Sequence, residues 1–122
     1  MQDNIFCIYE ANLKDSEWLD KFEDNIFLNN RKNIYKNILK SCKNNDYFIF
    51  IGFLNDLKIG YIVCHTIRDE LNIYNLAILE KYRNKGFASK LLRYAFEHLS
   101  RDINSIYIEV RATNFQALNL YR

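Results

Sequence analysis

Residues 71–99, LNIYNLAILEKYRNKGFASKLLRYAFEHL, change period part-way along, and that change decides the fold. Leu71 to Leu79 is a short apolar run of the kind that forms a strand. From Gly86 to Leu99, residues Ala88, Leu91, Leu92, Ala95 and Leu99 recur at helical spacing. Ser105 to Arg111 then returns to a period of two, with Ile106, Ile108 and Val110 alternating against Tyr107 and Glu109. A strand–helix–strand unit of this length favours a parallel, right-handed crossover. Asn114 to Arg122 reads as the start of another helix, with Ala117, Leu118 and Tyr121 on one side.

Upstream of this unit, two further strand-like runs precede Leu71: Tyr47 to Leu54 and Lys58 to Ile67. Asn55-Asp56 and Arg68-Asp69-Glu70 are turn signals, and connections this short imply an antiparallel meander. Before the meander come two helical patterns. One carries Trp18, Leu19, Phe22 and Ile26 on a single stripe behind a cap at Asp15 or Ser16. The other runs from about Arg31 to Cys42, with Ile34, Tyr35, Ile38 and Leu39 on one side. Ile5 to Ala11 is a short strand. The expectation is one domain over residues 1–122, of mixed α/β class: a mostly antiparallel sheet flanked by helices.

Composition limits the function classes. The 122 residues are 49% apolar and 16% aromatic, enough for one core. A formal charge of +2 is too small to argue for nucleic acid. The polar N-terminus lacks a secretion pattern, and no apolar stretch approaches the roughly 20 residues that cross a bilayer. Cys7, Cys42 and Cys64 have no CxxC spacing, so they read as reduced, buried thiols of a cytoplasmic protein rather than as disulfides or zinc ligands. His65 and His98 are far apart and lack partners at ligand spacing, so no metal is expected.

The chemistry concentrates at Arg83-Asn84-Lys85-Gly86-Phe87-Ala88. A helix start offers up to four backbone N–H groups without intrahelical partners, at the positive end of the helix dipole. Such a start binds phosphate if the backbone can come close. Gly86 permits the turn and Ala88 keeps the approach open. Lys81, Arg83, Lys85, Lys90 and Arg93 surround it, against Glu80 as the only nearby acid. Taken alone, one glycine here is more often an ordinary strand-to-helix turn with a solvated basic face. The spacing fits neither a P-loop nor the dinucleotide fingerprint.

Two more residues carry chemistry in the last segment. Glu109 points to the face opposite Ile108 and Val110, where a carboxylate with a raised pKa could act as a general base. A salt bridge to Arg111, or an exposed strand face, is the plainer alternative. Tyr121 could donate a proton, although an aromatic on a helical stripe is more often core.

The combination resembles the GCN5-related N-acetyltransferase superfamily, and in particular its RimI-like enzymes, which acetylate the N-terminal alanine of a ribosomal protein. The resemblance is specific from Asn72 to Arg122. It rests on Asn75-Leu76-Ala77-Ile78, on R-x-x-G-x-A at Arg83 to Ala88, and on IEVRATNFQALNLY at Ile108 to Tyr121. It implies acetyl-coenzyme A as co-substrate. Arg83, Asn84, Lys85, Gly86, Phe87, Ala88 and Ser89 would hold the pyrophosphate through backbone amides. Leu76, Ala77 and Ile78 would pair with the pantetheine arm, and the amide near Ile78 would polarise the thioester carbonyl. Asn114 would contact the pantetheine region, Glu109 would take the proton of the ammonium, and Tyr121 would protonate the departing thiolate. An α-amine has a pKa near 8 and is mostly ammonium at neutral pH, so a base raises the reactive fraction.

The resemblance also implies what lies beyond Tyr121. Relatives continue with a Gly-Phe turn and a further strand pair that completes the sheet, so the chain is expected to be C-terminally truncated relative to the family. The expected acceptor is a protein N-terminus, such as that of a ribosomal protein. The alternatives are a small-molecule amine or a non-catalytic coenzyme A-binding remnant. No direct nucleic-acid or membrane partner is expected.

Overall fold

A computed structural model describes residues 5–27, 34–40, 47–99 and 105–108. In chain order these form β1 (Phe6–Glu10), a 3-10 turn (Leu13–Asp15), α1 (Ser16–Phe27), α2 (Ile34–Lys40), β2 (Tyr47–Leu54), β3 (Leu57–Ile67), β4 (Glu70–Ile78), a second 3-10 turn (Glu80–Tyr82), α3 (Phe87–Leu99) and β5 (Ser105–Ile108). The five strands make one sheet in the order β1-β2-β3-β4-β5. The first four pair antiparallel, and β5 runs parallel to β4. This is the mixed, mostly antiparallel sheet expected from the sequence, with α3 as the crossover between its two parallel strands.

Strands β2, β3 and β4 alternate their side chains between two apolar layers. On one face Ile49, Ile51, Tyr61, Val63 and Ala77 pack with Leu19 and Phe22 of α1 and Tyr35 of α2. On the other, Phe50, Ile62, Cys64, Leu71, Ile73, Leu76 and Ile78 pack with Leu91 and Ala95 of α3. The α3 stripe read from sequence is the face that packs: Leu91 and Ala95 are buried, while Ala88, Leu92 and Leu99 lie partly buried against the same layer. Tyr61 sits at the centre of the first layer, met edge-on by Trp18, Phe22 and Tyr35 at centroid distances of 6.1, 5.2 and 5.7 Å, a favourable ring arrangement.

The turns follow the sequence signals. Asn55 and Asp56 join β2 to β3 with φ of 51° and 73°, the positive pair that a two-residue hairpin of matching twist needs. The N-terminal cap differs from expectation. Asn12 caps the 3-10 turn that leads into α1: its side chain accepts from the Lys14 N–H, and Asp15 accepts from the Asn12 N–H in return, both at 2.9 Å. Asp15 is thus the reciprocal member of a capping box rather than the cap. Its carboxylate also pairs with Lys58 of β3 at 2.9 Å, tying the helical layer to the sheet.

The cysteines do not behave alike. Cys64 is buried, and desolvation pushes its thiol up to about 12, so it stays protonated and inert. Cys7, on the edge strand, is only half-buried. Cys42, together with the expected helix from Asn114, lies outside the described residues. The two histidines are held by packing. His65 stacks on Tyr47 at 4.1 Å, and His98 stacks on Tyr94 at 5.5 Å.

β4 contains one irregularity that matters for the site. Val63 pairs with Asn75 but Cys64 pairs with Ile73, so Tyr74 is an extra residue, a bulge. Leu71 and Ile73 face α3 before it, and Leu76 and Ile78 face α3 after it. One inserted residue therefore switches the inward positions from odd to even numbers.

Candidate functional site

The bulge ends the regular part of β4 at a specific place. The described pairing of β4 with β5 runs from Glu70↔Ser105 to Ile73↔Ile108. The next residues are Tyr74, Asn75 and the segment Leu76–Ile78. Their backbone direction follows from the other edge. The Leu79 N–H donates to the Ile59 carbonyl at 2.7 Å, and Ile59 faces Leu79 in the register that pairs Gly60 with Ile78 and Tyr61 with Ala77. In an antiparallel ladder alternate residues bond to the same neighbour. The N–H groups of Ala77 and Leu79 therefore point to β3, and those of Leu76 and Ile78 point to the β5 side.

Immediately beyond, the chain makes the 3-10 turn Glu80–Tyr82 and the loop that starts α3. Asn84 and Gly86 have φ of 64° and 85°. An asparagine tolerates that region and a glycine adopts it without steric cost. A Cβ placed on Gly86 would meet nothing within 4 Å. Glycine is needed here for its φ, and the space above it is open. The Lys90 N–H donates to the Gly86 carbonyl at 3.1 Å, the first helical bond of α3. The amides of Phe87, Ala88 and Ser89 thus precede the first intrahelical donor. A pyrophosphate fits such a cradle: open space where a side chain would stand, helix-start amides and a positive local field.

The basic residues divide into two kinds. Arg83 is half-buried, and its Nε donates to the Ile78 carbonyl at 2.8 Å. Its guanidinium therefore fastens the loop to the end of β4. Lys90 is exposed but lies over the rings of Phe6 and Phe87, at 5.7 and 5.5 Å, and those rings sit 4.7 Å apart. A cation so placed stays beside the first turn of α3. Lys81 lies over Tyr82 at 5.7 Å. Lys85 is exposed beside Gly86.

The structure therefore brings Leu76, Ala77 and Ile78 together with Arg83, Asn84, Lys85, Gly86, Phe87, Ala88 and Ser89 around one strand-to-helix junction. Glu109, Asn114 and Tyr121 lie outside the described residues. The described part of β5 reaches Ile108, opposite Ile73. Two features here were missed in the sequence: the tie made by Arg83, and the burial of Asn75. The signal for Asn75 was the pair Tyr74-Asn75, two successive polar-tipped residues that break the apolar–polar alternation of Leu71, Asn72 and Ile73.

Residues 7–122 match the family model described as "Acetyltransferase (GNAT) family". The chain belongs to that family. A 67-residue stretch is 36% identical to the "[Ribosomal protein bS18]-alanine N-acetyltransferase" of Haemophilus ducreyi, covering 54% of this chain and 46% of that protein. The chain spans about half the length of the curated relatives it matches. Among solved structures, the ribosomal-protein-S18-alanine N-acetyltransferase of Escherichia coli superposes with a TM-score of 0.77 at 21% identity, over 96% of this chain and 74% of that one. An aminoglycoside acetyltransferase from an uncultured soil metagenomic sample gives 0.74 at 14%, over 96% and 85%. These likenesses establish the acetyltransferase (GNAT) fold. Among the described residues no helix is long and apolar enough to cross a membrane.

One expected result concerns the loop's anchor. Arg83→Leu removes the tie to Ile78 while leaving the loop's backbone and the fold in place. Coenzyme A affinity is expected to weaken at least about tenfold, the lower end of the worth of one hydrogen bond to a charged group. Isothermal titration showing an unchanged Kd would make Arg83 a bystander.

Proposed function

We propose that this chain is a cytoplasmic acetyl-coenzyme A-dependent N-acetyltransferase acting on the N-terminal α-amine of a protein, with a ribosomal protein beginning in alanine as acceptor. The observation that carries the reading is the junction of β4 with α3. Gly86 opens a space at φ 85° in front of the helix-start amides. The Leu76 and Ile78 amides lie on the β5 side of the strand that leads there. The acceptor class rests on the 36% identity to the Haemophilus enzyme.

In this reading the amides from Gly86 to Ser89 bind the pyrophosphate, with Lys90 contributing charge. Leu76, Ala77 and Ile78 orient the pantetheine arm, and an N–H of this segment polarises the thioester carbonyl, an effect typically of a few kcal/mol. Glu109 removes the ammonium proton, Tyr121 returns a proton to the thiolate, and Asn114 holds the pantetheine region. No step needs a metal.

A second reading, acetylation of a small amine, is favoured by the fold likeness to an aminoglycoside acetyltransferase. Mass spectrometry after incubation with acetyl-coenzyme A and a panel of peptides and small amines separates the two. The proposal expects a peptide with N-terminal alanine to gain an acetyl group. Preferential labelling of a polyamine or amino sugar selects the second reading, and coenzyme A binding without transfer selects a binding module.

Glu109→Gln is expected to lower kcat by about a hundredfold near pH 7, within the usual contribution of a general base. The loss should shrink as pH rises past about 8, where the free amine becomes abundant without help. A variant with the wild-type pH–rate profile would place proton removal elsewhere.

A further inference from the structure

Asn75 is buried, with 3% of its surface exposed, immediately after the bulge at Tyr74. Its Nδ2 donates to the Tyr61 hydroxyl at 3.2 Å and to the Tyr35 hydroxyl at 3.4 Å, while its Oδ1 accepts from the Leu76 N–H at 3.0 Å. Tyr35 and Tyr61 are fully buried in the layer between the sheet and the α1–α2 pair. A buried carboxamide is costly unless its donors and acceptor are satisfied, and packing alone does not call for one among Leu19, Phe22 and Val63. The network continues outward. The Tyr35 backbone N–H donates to Asp20 Oδ1 of α1 at 2.8 Å. One polar path therefore runs from α1, through α2 and the Tyr35 ring, across Asn75, to an amide on the β5 side of β4.

The end of that path is the segment proposed to pair with the co-substrate. A ligand carbonyl that bonds the Leu76 N–H competes there with Asn75 Oδ1. The carboxamide is a rigid plane, so a turn that withdraws Oδ1 also moves Nδ2 relative to the two hydroxyls, and the long 3.4 Å contact with Tyr35 has room to shorten to a full hydrogen bond. We propose that Asn75 is a positioning residue that couples occupancy of the Leu76–Ile78 segment to the placement of α2, through Tyr35. The coupling rests on the reading of that segment as the coenzyme A site. Its consequence is that the helical layer on the face opposite α3 responds to whether the co-substrate is bound.

Hydrogen exchange of the full chain, with and without coenzyme A, tests this. In the wild type coenzyme A slows exchange both in a peptide spanning residues 76–90 and in one spanning α2. The slowing at α2 is expected to be about two- to tenfold, the range for gaining one hydrogen bond. In Asn75→Leu the slowing at residues 76–90 persists and the slowing at α2 disappears. Tyr35→Phe keeps the ring and its packing, gives the same result, and carries the test alone if Asn75→Leu does not fold. A purely structural role would change α2 exchange equally with and without coenzyme A, and that result overturns the coupling. Ligand-dependent slowing of α2 that survives in the variants overturns it too, as does its absence in the wild type. No slowing at residues 76–90 in the wild type rejects the coenzyme A site itself, and the coupling with it.

Discussion

Gly60→Val will lower the melting temperature by roughly 10 °C or more, a destabilisation of about 3 kcal/mol or above. Gly60 faces Ile78 across the β3–β4 ladder. A Cβ there would stand 2.5 Å from the Ala77 carbonyl oxygen and 3.2 Å from Ile78 Cα, and would also collide with Ile78 Cδ1. The Ile78 methyl can turn away, but the Ala77 carbonyl belongs to the ladder and cannot. Relief requires β3 and β4 to separate, and the bonded pairs on either side, Ile59↔Leu79 and Tyr61↔Ala77, oppose that. Most of the penalty comes from the Cβ itself, so Gly60→Ala should show the greater part of it, and valine adds the strain of branched atoms. Circular dichroism melts measure this. Variants melting within about 2 °C of the wild type would show that the two strands yield easily here, against the usual cost of overpacking.

Gly86→Val is expected to weaken coenzyme A binding by at least about a hundredfold, with a smaller effect on the fold. The residue has φ 85° and open space around its missing side chain. The cost to folding is therefore conformational and local, about 1–2 kcal/mol for a side chain in the left-handed region. The cost to binding is larger. A β-branched residue either rotates the loop out of this conformation or fills the space where the phosphates would lie. Losing one or two charge-assisted bonds at about 1.5–3 kcal/mol each gives that factor. Isothermal titration with coenzyme A measures it, and a Kd within threefold of the wild type would dismiss the cradle. Gly60 and Gly86 thus separate two demands on the same residue type. One is a close approach of strands within the fold, and the other an approach reserved for a ligand.

Much of this was legible in the sequence because it follows from periodicity. The runs Tyr47 to Leu54, Lys58 to Ile67 and Leu71 to Leu79 became strands within one residue of their expected ends. A shared apolar face dictates those limits. The stripe through Leu91 and Ala95 fixed α3 and the side on which it packs. Other features depend on tertiary contacts that no local pattern encodes. Asp15 and Ser16 both have the chemistry of a cap, yet Asn12 takes the role because a 3-10 turn precedes α1. Arg83 reads as one more cation in a basic loop until its Nε is found on the Ile78 carbonyl. Asn75 reads as a polar residue in a strand. Its burial follows from the bulge, which turns it toward Tyr35 and Tyr61 instead of toward α3.

That bulge has a bearing on how this stretch can change over evolutionary time. Because side chains alternate with a period of two, losing the codon for Tyr74 would restore unbroken alternation. It would leave Ala77 facing α1 and α2 and Leu76 and Ile78 facing α3, so a deletion at that one position removes the bulge without moving the apolar layers. Removing one residue beyond the bulge, by contrast, would reverse both the apolar filling and the direction of every amide that follows in the strand. A second compensating length change nearby would be needed to undo it. Substitutions can therefore accumulate along β4 one at a time, but the residue count from Asn75 to Ile78 is held fixed. Related chains should differ in spelling there far more readily than in length.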